Sequence, residues 1–346
     1  MGNKNVLIYL QDIGGINFLL PVFKKLKDQP WFKLSTKVAH HASLSFLKEK
    51  EVRDFRSLKE KDVISIEDWK AFLRLNNINF VLATLSSKEK DKSNCYLVSA
   101  SNELGINSLG FLDHWKGTER LVNYEGKYNF HPSYLGVIDE YSLKVVKELS
   151  LGIKKVFISG HPALEQIQSK NFFSNEDKDK NILLVSQPKA LKGSFSSLFL
   201  IKNKEGKTFL NEIMELAEEL NILDRLNYRP HPKEEIEGNI PKRIKIESNN
   251  KDYIMNKYDY FLGFDSILLV ESHAAGKVSI SINFNNIGKF FKDVIPYDYS
   301  YKVSSLTELK KLLKNNDLCP PPKVDYSSST KNCLEIIQET LSKGET

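Results

Sequence analysis

The feature that most constrains the fold of this chain is an alternation of short apolar runs with segments that have the apolar spacing of helices. Residues 6–10 have the composition of a buried strand, a glycine-containing loop follows, and residues 18–26 have helical spacing. Strands of this kind, joined by helices, form parallel sheets that helices cover. A polar, lysine-rich stretch at 174–181 separates this series from a second one that begins at residue 182.

The alternation predicts an α/β fold made of two tandem Rossmann-like, doubly wound domains. We expect an N-terminal domain at 1–160, a C-terminal domain at 161–325, and a helix within 326–346 that packs back on the first domain. Ligands of such folds bind outside the carboxyl ends of the strands and usually between the domains, so an interdomain cleft is expected. The predicted strands lie at 6–10, 34–38, 63–66, 80–85, 108–112, 136–138, 155–158, 182–185, 225–228, 244–246, 260–263 and 278–282, and the predicted helices at 18–26, 68–75, 94–104, 142–149, 209–220, 267–275, 306–313 and 332–341.

Length, charge and cysteine content limit the class of protein. At about 150 residues per domain, a chain of 346 residues has room for two domains. The 50 basic and 44 acidic residues give a net charge of +6 without a dense basic block, so we expect no nucleic-acid partner. Three widely separated cysteines, and histidines without spaced partners, predict no disulfide framework and no metal site. Because the first apolar run is too short for a signal peptide or a membrane span, a cytoplasmic location is expected.

Gly14 and Gly15 lie between the first strand and the first helix. The absence of side chains there lets a ligand approach backbone N–H groups at the positive end of a helix, so an anion could bind. A tight turn that needs glycine is the alternative. The spacing is not G-x-G-x-x-G, which argues against a dinucleotide.

A stiff, basic loop follows one strand of the second series. Arg229, His231 and Lys233 alternate there with two prolines. The prolines restrict the backbone, which lowers the entropy lost when the three side chains are held toward one target. A phosphate or diphosphate is the expected target, with planar contacts from Arg229 and a hydrogen bond or a proton from His231. A solvated loop is the alternative.

Another polar cluster begins where a later strand of the second series ends. Ser266 is positioned to cap a helix whose first N–H groups would face the ligand, and Glu271 follows about one and a half turns later. A phosphate at the cap and a ribose diol on the carboxylate fit this spacing, and we include the adjacent Ser272 in the same site. The alternative is an ordinary N-cap followed by a surface charge.

Asp113 and His114 precede Trp115 at the end of a strand of the first series. A carboxylate beside an imidazole suits acid/base or nucleophilic catalysis, and the indole could stack on a sugar. Because neighbouring residues of a strand point to opposite faces, both can act only from a loop. The alternative is a capped turn with a buried tryptophan.

Residues 263–276 have the form G-x-x-S-x-x-x-x-E-x-x-x-x-G, and two α/β halves with a Gly-Gly loop accompany it. This combination resembles GT-B glycosyltransferases and their nucleotide-sugar epimerase relatives, over nearly the whole chain. More narrowly, Gln187-Pro188 and His231-Pro232 are similar to the QP and HP motifs of bacterial capsule Kdo transferases. The HP motif also occurs in bacterial polysialyltransferases.

The resemblance implies a metal-independent, GT-B transferase without a cofactor. It would move a sugar from a nucleotide donor, preferably CMP-Kdo or a CMP-linked sialic or other nonulosonic acid, to a bacterial surface glycan. By this likeness His231 meets the donor phosphate, Ser266 supports it and Glu271 approaches the ribose, while Asp113 and His114 are catalytic candidates. The C-terminal domain would bind the donor. The N-terminal domain would face a glycan or lipid-linked glycan acceptor, with peripheral membrane association as an option.

Other functions of the same architecture stay open. They are a nucleotide-sugar epimerase or hydrolase, a UDP-sugar transferase of the general GT-B class, a pyruvyl or glycerol-phosphate transferase acting on the same glycans, and a binding protein without catalytic activity. An epimerase or hydrolase needs acidic residues at the sugar and no acceptor, so incubation with the donor alone distinguishes it. A nucleotide that binds tightly without any conversion would indicate the binding protein.

Overall fold

In the computed structural model the chain divides into two compact units. Unit 1 comprises residues 1–166 and 326–346, and unit 2 comprises residues 167–325. The structure describes residues 5–32, 36–50, 56–58, 65–85, 92–121, 130–173, 180–191, 194–203, 205–231, 234, 240–264, 266–284, 295, 298–314 and 318–343.

The described strands of unit 1 form one parallel sheet. They are β1 Val6–Leu10, β2 Thr36–His40, β3 Arg56–Leu58, β4 Phe80–Thr84, β5 Asn107–Phe111, β6 Tyr134–Val137 and β7 Lys155–Ile158, and their order in the sheet is β3-β2-β1-β4-β5-β6-β7. β1 and β4 are buried along their whole length, which explains their continuous apolar sequences. The strand order changes direction between these two strands, as in a doubly wound fold.

Unit 2 has a second parallel sheet and a short antiparallel hairpin. Its described strands are β8 Ile182–Val185, β9 Pro188–Leu191, β10 Ser194–Ser197, β11 Leu226–Arg229, β12 Lys245–Ile246, β13 Tyr260–Gly263, β14 Val278–Ile282 and β15 Tyr301–Val303. The parallel order is β12-β11-β8-β13-β14-β15, and β9 pairs with β10. The order changes direction between β8 and β13.

Helices connect the strands of both sheets. The described α-helices are α1 Ile13–Leu26, α2 His41–Glu49, α3 Ile66–Leu75, α4 Ser93–Glu103, α5 Glu140–Glu148, α6 Pro162–Gln168, α7 Phe209–Glu219, α8 Lys251–Lys257, α9 Ile267–Ala274, α10 Leu306–Lys314 and α11 Ser329–Ser342, with a 3₁₀ helix at Trp115–Leu121. Several begin at polar residues whose side chains accept hydrogen bonds from the first turn, among them Asp12, Ser65, Asp139 and Thr208. No helix in the described ranges combines the length and apolar character that a membrane crossing requires.

Each unit has its own apolar core. In unit 1, Trp69 of α3 packs edge-on against Tyr9 of β1, with 5.0 Å between ring centroids, and both residues are fully buried. α11 packs on α1 and β6, and the Thr330 N–H near its start donates a hydrogen bond to the Glu165 carboxylate of α6 at 2.7 Å. In unit 2, a cluster of phenylalanines, Phe199, Phe209, Phe264 and Phe284, fills the space beside the sheet.

The predicted α/β class, with two Rossmann-like sheets, is confirmed, and most predicted elements are found within a few residues of their expected bounds. The strand predicted at 63–66 is wrong where it can be checked, because Ser65 caps α3 and Ile66 begins it, while residues 63 and 64 lie outside the described ranges. The third strand of unit 1 is instead β3. The sequence patterns also missed α2, α6, the β9–β10 hairpin, α8 and β15.

Candidate functional site

The carboxyl ends of three neighbouring strands lie level with one another at one edge of the unit 2 sheet. Val185 at the end of β8 is the register partner of Arg229 on β11 and of Gly263 on β13. β8 and β13 flank the point where the strand order changes direction, which is where open parallel sheets bind ligands. The residues that follow these strands therefore define the candidate site of unit 2.

Ser266 caps α9 at this edge, as the sequence predicts. Its hydroxyl oxygen accepts a hydrogen bond from the Leu268 N–H at 3.3 Å. Phe264 fixes the approach to the cap, because its ring packs 4.9 Å from the ring of Phe199 and 5.8 Å from that of Phe209. The first N–H groups of α9 carry partial positive charge, which suits a phosphate.

The Glu271 carboxylate on α9 is buried, and only one of its two oxygens has a hydrogen-bond partner among the described residues. The residue is 6% exposed, and its Oε1 accepts from Lys251 Nζ at 2.6 Å. Its Oε2 is buried and has no hydrogen-bond partner within the part of the chain that the structure describes. A buried oxygen without a donor is energetically costly, so this atom is a candidate acceptor for ligand hydroxyls.

Arg229 connects the exit of β11 with this cluster. Its Nη1 donates to the carbonyl oxygen of Asn249 at 2.6 Å. Burial lowers the pKa of the guanidinium, and the nearby charges of Glu247 and Glu271 act in the opposite direction. Arg229 is thus held by the segment that follows β12, while its charge interacts with the carboxylate on α9.

Glu247 is the anchor of that segment. Its Oε1 accepts from the Asn249 N–H at 2.9 Å, and its Oε2 accepts from Lys257 Nζ at 2.9 Å and from the Tyr258 hydroxyl at 2.8 Å. Burial alone would raise the pKa of Glu247, but these hydrogen bonds outweigh it and lower the pKa to about 2. Glu247 therefore stays ionised and fixes Asn249, which in turn holds Arg229.

The loop that carries His231 begins one residue after β11. The His231 N–H donates to Glu234 Oε2 at 3.2 Å, and the Glu234 N–H donates to the His231 carbonyl oxygen at 2.9 Å. Pro232 and Lys233, which the sequence assigns to the same site, lie outside the described residues.

The Gln187-Pro188 pair leads from β8 into the β9–β10 hairpin. The carbonyl oxygen of Gln187 accepts from the Leu198 N–H at 3.0 Å, and Pro188 is the first residue of β9. Ser272 is fully buried instead of facing this edge. Its hydroxyl donates to the Leu269 carbonyl oxygen at 2.9 Å and lies 2.7 Å from the hydroxyl of Ser279 on β14. We therefore leave Ser272 out of the candidate site, since its hydroxyl is already engaged between α9 and β14.

In unit 1, Gly14 and Gly15 lie in the first turn of α1 at the corresponding edge of the sheet, and not in a loop before the helix as the sequence predicts. A Cβ atom on Gly15 would lie 2.7 Å from Thr84 Cβ, so glycine permits close contact with the end of β4. The Gly15 N–H donates to Asp12 Oδ1 at 2.8 Å, and a Cβ atom on Gly14 would lie 3.0 Å from Asp113 Oδ2. The anion expected at Gly14 and Gly15 is disfavoured here, because two carboxylates occupy the surroundings and one of them uses the Gly15 N–H.

Asp113 follows β5 and is paired with Arg120. The Oδ1 of Asp113 accepts from Arg120 Nη1 at 2.6 Å, and the aspartate side chain is 9% exposed. Arg120 Nη1 also donates to the carbonyl oxygen of Leu85 at 2.5 Å. Burial raises the pKa of Asp113, Arg120 lowers it, and the charge of Asp12 raises it again, so the net direction is upward. A carboxyl group with a raised pKa is suited to proton transfer.

His114 lies in the same loop, which removes the geometric objection to a paired role with Asp113. β5 ends at Phe111, so neither residue belongs to a strand. The ring of His114 lies 6.0 Å from that of Trp115, and the Trp115 indole N–H donates to Asp139 Oδ2 at 2.6 Å. Trp115 is 3% exposed, which matches the capped turn with a buried tryptophan better than a sugar-stacking surface.

No cluster of three or more metal-ligating side chains occurs in the ranges that the structure describes. No protein-family model matches the sequence, and no match is found among curated proteins. Solved structures with the same fold do exist. UDP-GlcNAc 2-epimerase from Methanocaldococcus jannaschii is 14% identical and superposes with a TM-score of 0.65 over 98% of this chain and 100% of that one.

Two further structures extend this likeness. UDP-GlcNAc 2-epimerase from Neisseria meningitidis, bound to UDP-GlcNAc, is 13% identical, with a TM-score of 0.63 over 98% of this chain and 100% of that one. MurG from Acinetobacter baumannii is 12% identical, with a TM-score of 0.54 over 97% of this chain and 100% of that one. The chain therefore has a fold of the GT-B type. The narrower likeness to Kdo transferases and polysialyltransferases gains no support, because two of these three structures are of enzymes named for UDP-GlcNAc.

The sequence patterns missed several residues that shape the two edges: Asp12, Arg120, Glu234, Glu247 and Lys251. Asp12 had a usable local signal, because aspartate is a common N-cap residue, but the apolar pattern placed the start of this helix at residue 18. The others had none, since their roles depend on partners that tertiary folding supplies.

Proposed function

We propose that this chain is an enzyme that acts on a UDP-linked sugar and breaks the bond between the anomeric carbon and the diphosphate. The observation that carries the proposal is the Oε2 atom of Glu271, which is buried and has no hydrogen-bond partner among the described residues. UDP replaces CMP as the nucleotide that we expect in the donor, because enzymes named for UDP-GlcNAc have the same fold.

The ribose of the nucleotide is the proposed partner of Glu271. Ribose hydroxyls are donors, and Oε2 has no donor among the described residues, while Lys251 already holds the other oxygen of the carboxylate. Hydrogen bonds to a charged group contribute about 1.5 to 3 kcal/mol each. Orienting the carboxylate before the ligand arrives lowers the entropy lost on binding.

We assign the diphosphate to the residues at the carboxyl ends of β11 and β13, beside Glu271. Ser266 and the first N–H groups of α9 offer partial positive charge. Arg229 and His231 end and follow β11, whose register with β8 and β13 brings them to the same edge of the sheet. Donors fixed in this way stabilise the negative charge that grows on UDP as the bond to the sugar breaks.

Asp113 is the proposed acid/base residue for the sugar. Its raised pKa and its neighbour Asp12 give unit 1 the acidic groups that an epimerase or hydrolase needs, without an acceptor substrate. Transfer to a glycan acceptor is the second candidate reaction, because the spacing of residues 263–276 resembles that of GT-B glycosyltransferases and MurG has the same fold. Both reactions use the same bond cleavage and differ in what reaches the sugar.

A binding panel tests the nucleotide assignment. We expect UDP to raise the melting temperature of the protein more than CMP, CDP or GDP does. The substitution Glu271→Gln should weaken UDP binding by about 10- to 100-fold, measured by titration calorimetry, because a charged hydrogen-bond acceptor is lost. The matched control is Glu218→Gln, which alters an exposed ion pair with Arg243 in the same unit and should leave the affinity unchanged. Equal affinity in the Glu271 variant, or a preference for CMP, contradicts the assignment.

Incubation with UDP-GlcNAc alone, followed by NMR, tests the reaction. Release of free sugar or formation of an isomer supports the epimerase or hydrolase, whereas dependence on an added glycan supports the transferase. Asp113→Asn should retain UDP binding and lose turnover in either case. Full turnover in that variant would remove Asp113 from the proposal.

A further inference from the structure

A buried cluster of hydroxyl groups adjoins the loop that carries His231. Ser186, Ser197 and Tyr228 are each at most 2% exposed, and their hydroxyl oxygens lie 2.6 to 2.9 Å from one another. Ser186 directly follows β8, Ser197 ends β10 and Tyr228 lies in β11. The cluster therefore joins three strands of unit 2.

Glu234 connects this hydroxyl cluster to His231. Its Oε1 accepts from the Ser186 hydroxyl at 2.5 Å, and its Oε2 accepts from the Tyr228 hydroxyl at 3.3 Å. Oε2 also accepts from the His231 N–H at 3.2 Å, and the Glu234 N–H donates back to the His231 carbonyl oxygen at 2.9 Å. Both backbone groups of His231 are thus tied to one residue, which is itself tied to the strand ends.

A contribution to folding stability does not by itself explain why a carboxylate occupies position 234. Burial raises the pKa of its carboxyl group, while the donors from Ser186, His231 and Tyr228 act in the opposite direction. Within the described ranges these donors are neutral, and no lysine or arginine forms an ion pair with Glu234. A half-buried carboxylate without a counter-charge carries a desolvation penalty that apolar packing would avoid.

We infer that Glu234 is a positioning residue, which fixes the backbone of His231 against the hydroxyl cluster so that His231 can reach the diphosphate. This inference rests on the proposed function, in which His231 contacts that group. Glutamine can replace Glu234, because its amide oxygen can accept from the His231 N–H while its NH₂ group donates to Ser186. Alanine removes both connections.

A double-mutant cycle on the affinity for UDP tests this inference. We expect His231→Ala and Glu234→Ala each to weaken binding by about tenfold, and Glu234→Gln to stay within about twofold of the wild type. Adding Glu234→Ala to His231→Ala should cost less than about twofold more, because the residue that Glu234 positions is already gone. The control is Glu219→Ala, which alters an exposed ion pair with Lys310 on the same unit. Melting curves check that every variant is folded.

The outcomes separate this inference from the proposed function. If His231→Ala leaves UDP binding intact, or if the wild type binds no UDP, the proposed role of His231 fails and the inference fails with it. If His231→Ala weakens UDP binding, and Glu234→Ala causes the same additional loss of affinity in that variant as in the wild type, the positioning role is overturned and the proposed function stands. A folded Glu234→Gln variant as weak as Glu234→Ala also overturns it. If Glu234→Ala does not fold, Ser186→Ala takes its place, because it removes one donor to the Glu234 carboxylate. The loss of UDP affinity that Ser186→Ala causes must then disappear when His231→Ala is also present.

Discussion

Replacing Arg120 with methionine should destabilise unit 1 strongly at neutral pH, because Asp113 would lose the partner that stabilises its charged form. The pair is largely withdrawn from water, with side-chain exposures of 25% for Arg120 and 9% for Asp113. Breaking a buried pair costs about 3 to 5 kcal/mol, whereas an exposed pair contributes about 1 kcal/mol or less. Since Arg120 is partly exposed, we expect a loss of about 3 kcal/mol, at the lower end of the buried range.

The loss should depend on pH, and its sign follows from the pKa of Asp113. Burial raises this pKa in the folded state above its ordinary value of 3.8, so the folded protein holds the proton more tightly than the unfolded chain. Such a carboxyl group makes folding less favourable as pH rises through the interval between the two pKa values. Removing Arg120 raises the folded-state pKa further, so the gap between wild type and variant should widen from pH 4 to pH 7.

Tryptophan fluorescence is a suitable assay, because the three tryptophans, Trp31, Trp69 and Trp115, all belong to unit 1. A loss of about 3 kcal/mol corresponds to a melting temperature about 6 to 12 °C lower for a unit of this size. Asp113→Asn combined with Arg120→Met should recover stability and lose the pH dependence that Asp113 causes, because the buried carboxyl group is gone. Arg243→Met, in an exposed pair, should change stability by less than about 1 kcal/mol. A loss for Arg120→Met that is equally small, or identical at pH 4 and pH 7, would refute the reasoning.

Two further predictions concern packing and buried charge. Gly136→Ala should lower the melting temperature of unit 1, because the new Cβ atom would lie 2.3 Å from Phe111 Cδ1 and overpacking costs about 1 to 3 kcal/mol. Gly152→Ala is its control, since that Cβ atom would meet its nearest neighbour at an ordinary 3.5 Å, and a lowered melting temperature there would argue against a specific clash at Gly136. Glu247→Gln should destabilise unit 2 at neutral pH, and circular dichroism melts should show the difference shrink below pH 4.5, because the pKa of Glu247 is lowered to about 2 and its stabilisation is lost as pH falls toward that value. A difference that does not change with pH would contradict this account of Glu247.

The central strands and the capped helices could be predicted because their signals are local. Val6–Leu10 and Tyr260–Gly263 are continuous apolar runs, and they are strands with those bounds. β3 could not be predicted, because Arg56–Leu58 is a short strand at the edge of its sheet and lacks an apolar pattern. The mistaken strand at 63–66 arose from apolar residues beside a serine that caps a helix, where the capping bond to Asp68 decides the structure.

The residues of the candidate site likewise divide into those that a local pattern predicts and those whose roles depend on tertiary contacts. The cap at Ser266 is a local feature, and the sequence predicts it correctly. The pairing of Glu271 with Lys251 joins two different helices, so no local pattern could indicate it. Gly14 is the clearest case of tertiary context reversing a local expectation. A glycine loop before a helix is typical of an anion site, but Gly14 lies in the first turn of α1, and the carboxylate of Asp113, which follows β5, lies beside it.

The split of unit 1 into two pieces of sequence has a consequence for synthesis in the cell. α11 supplies buried residues such as Cys333 and Ile337 to unit 1, yet all of residues 167–325 must be translated before it emerges from the ribosome. At about 5 to 20 residues per second, that delay is on the order of ten to thirty seconds. During this interval the face of α1 that α11 later covers stays open to chaperones, so unit 1 cannot complete its core until α11 has been made, although its synthesis starts first.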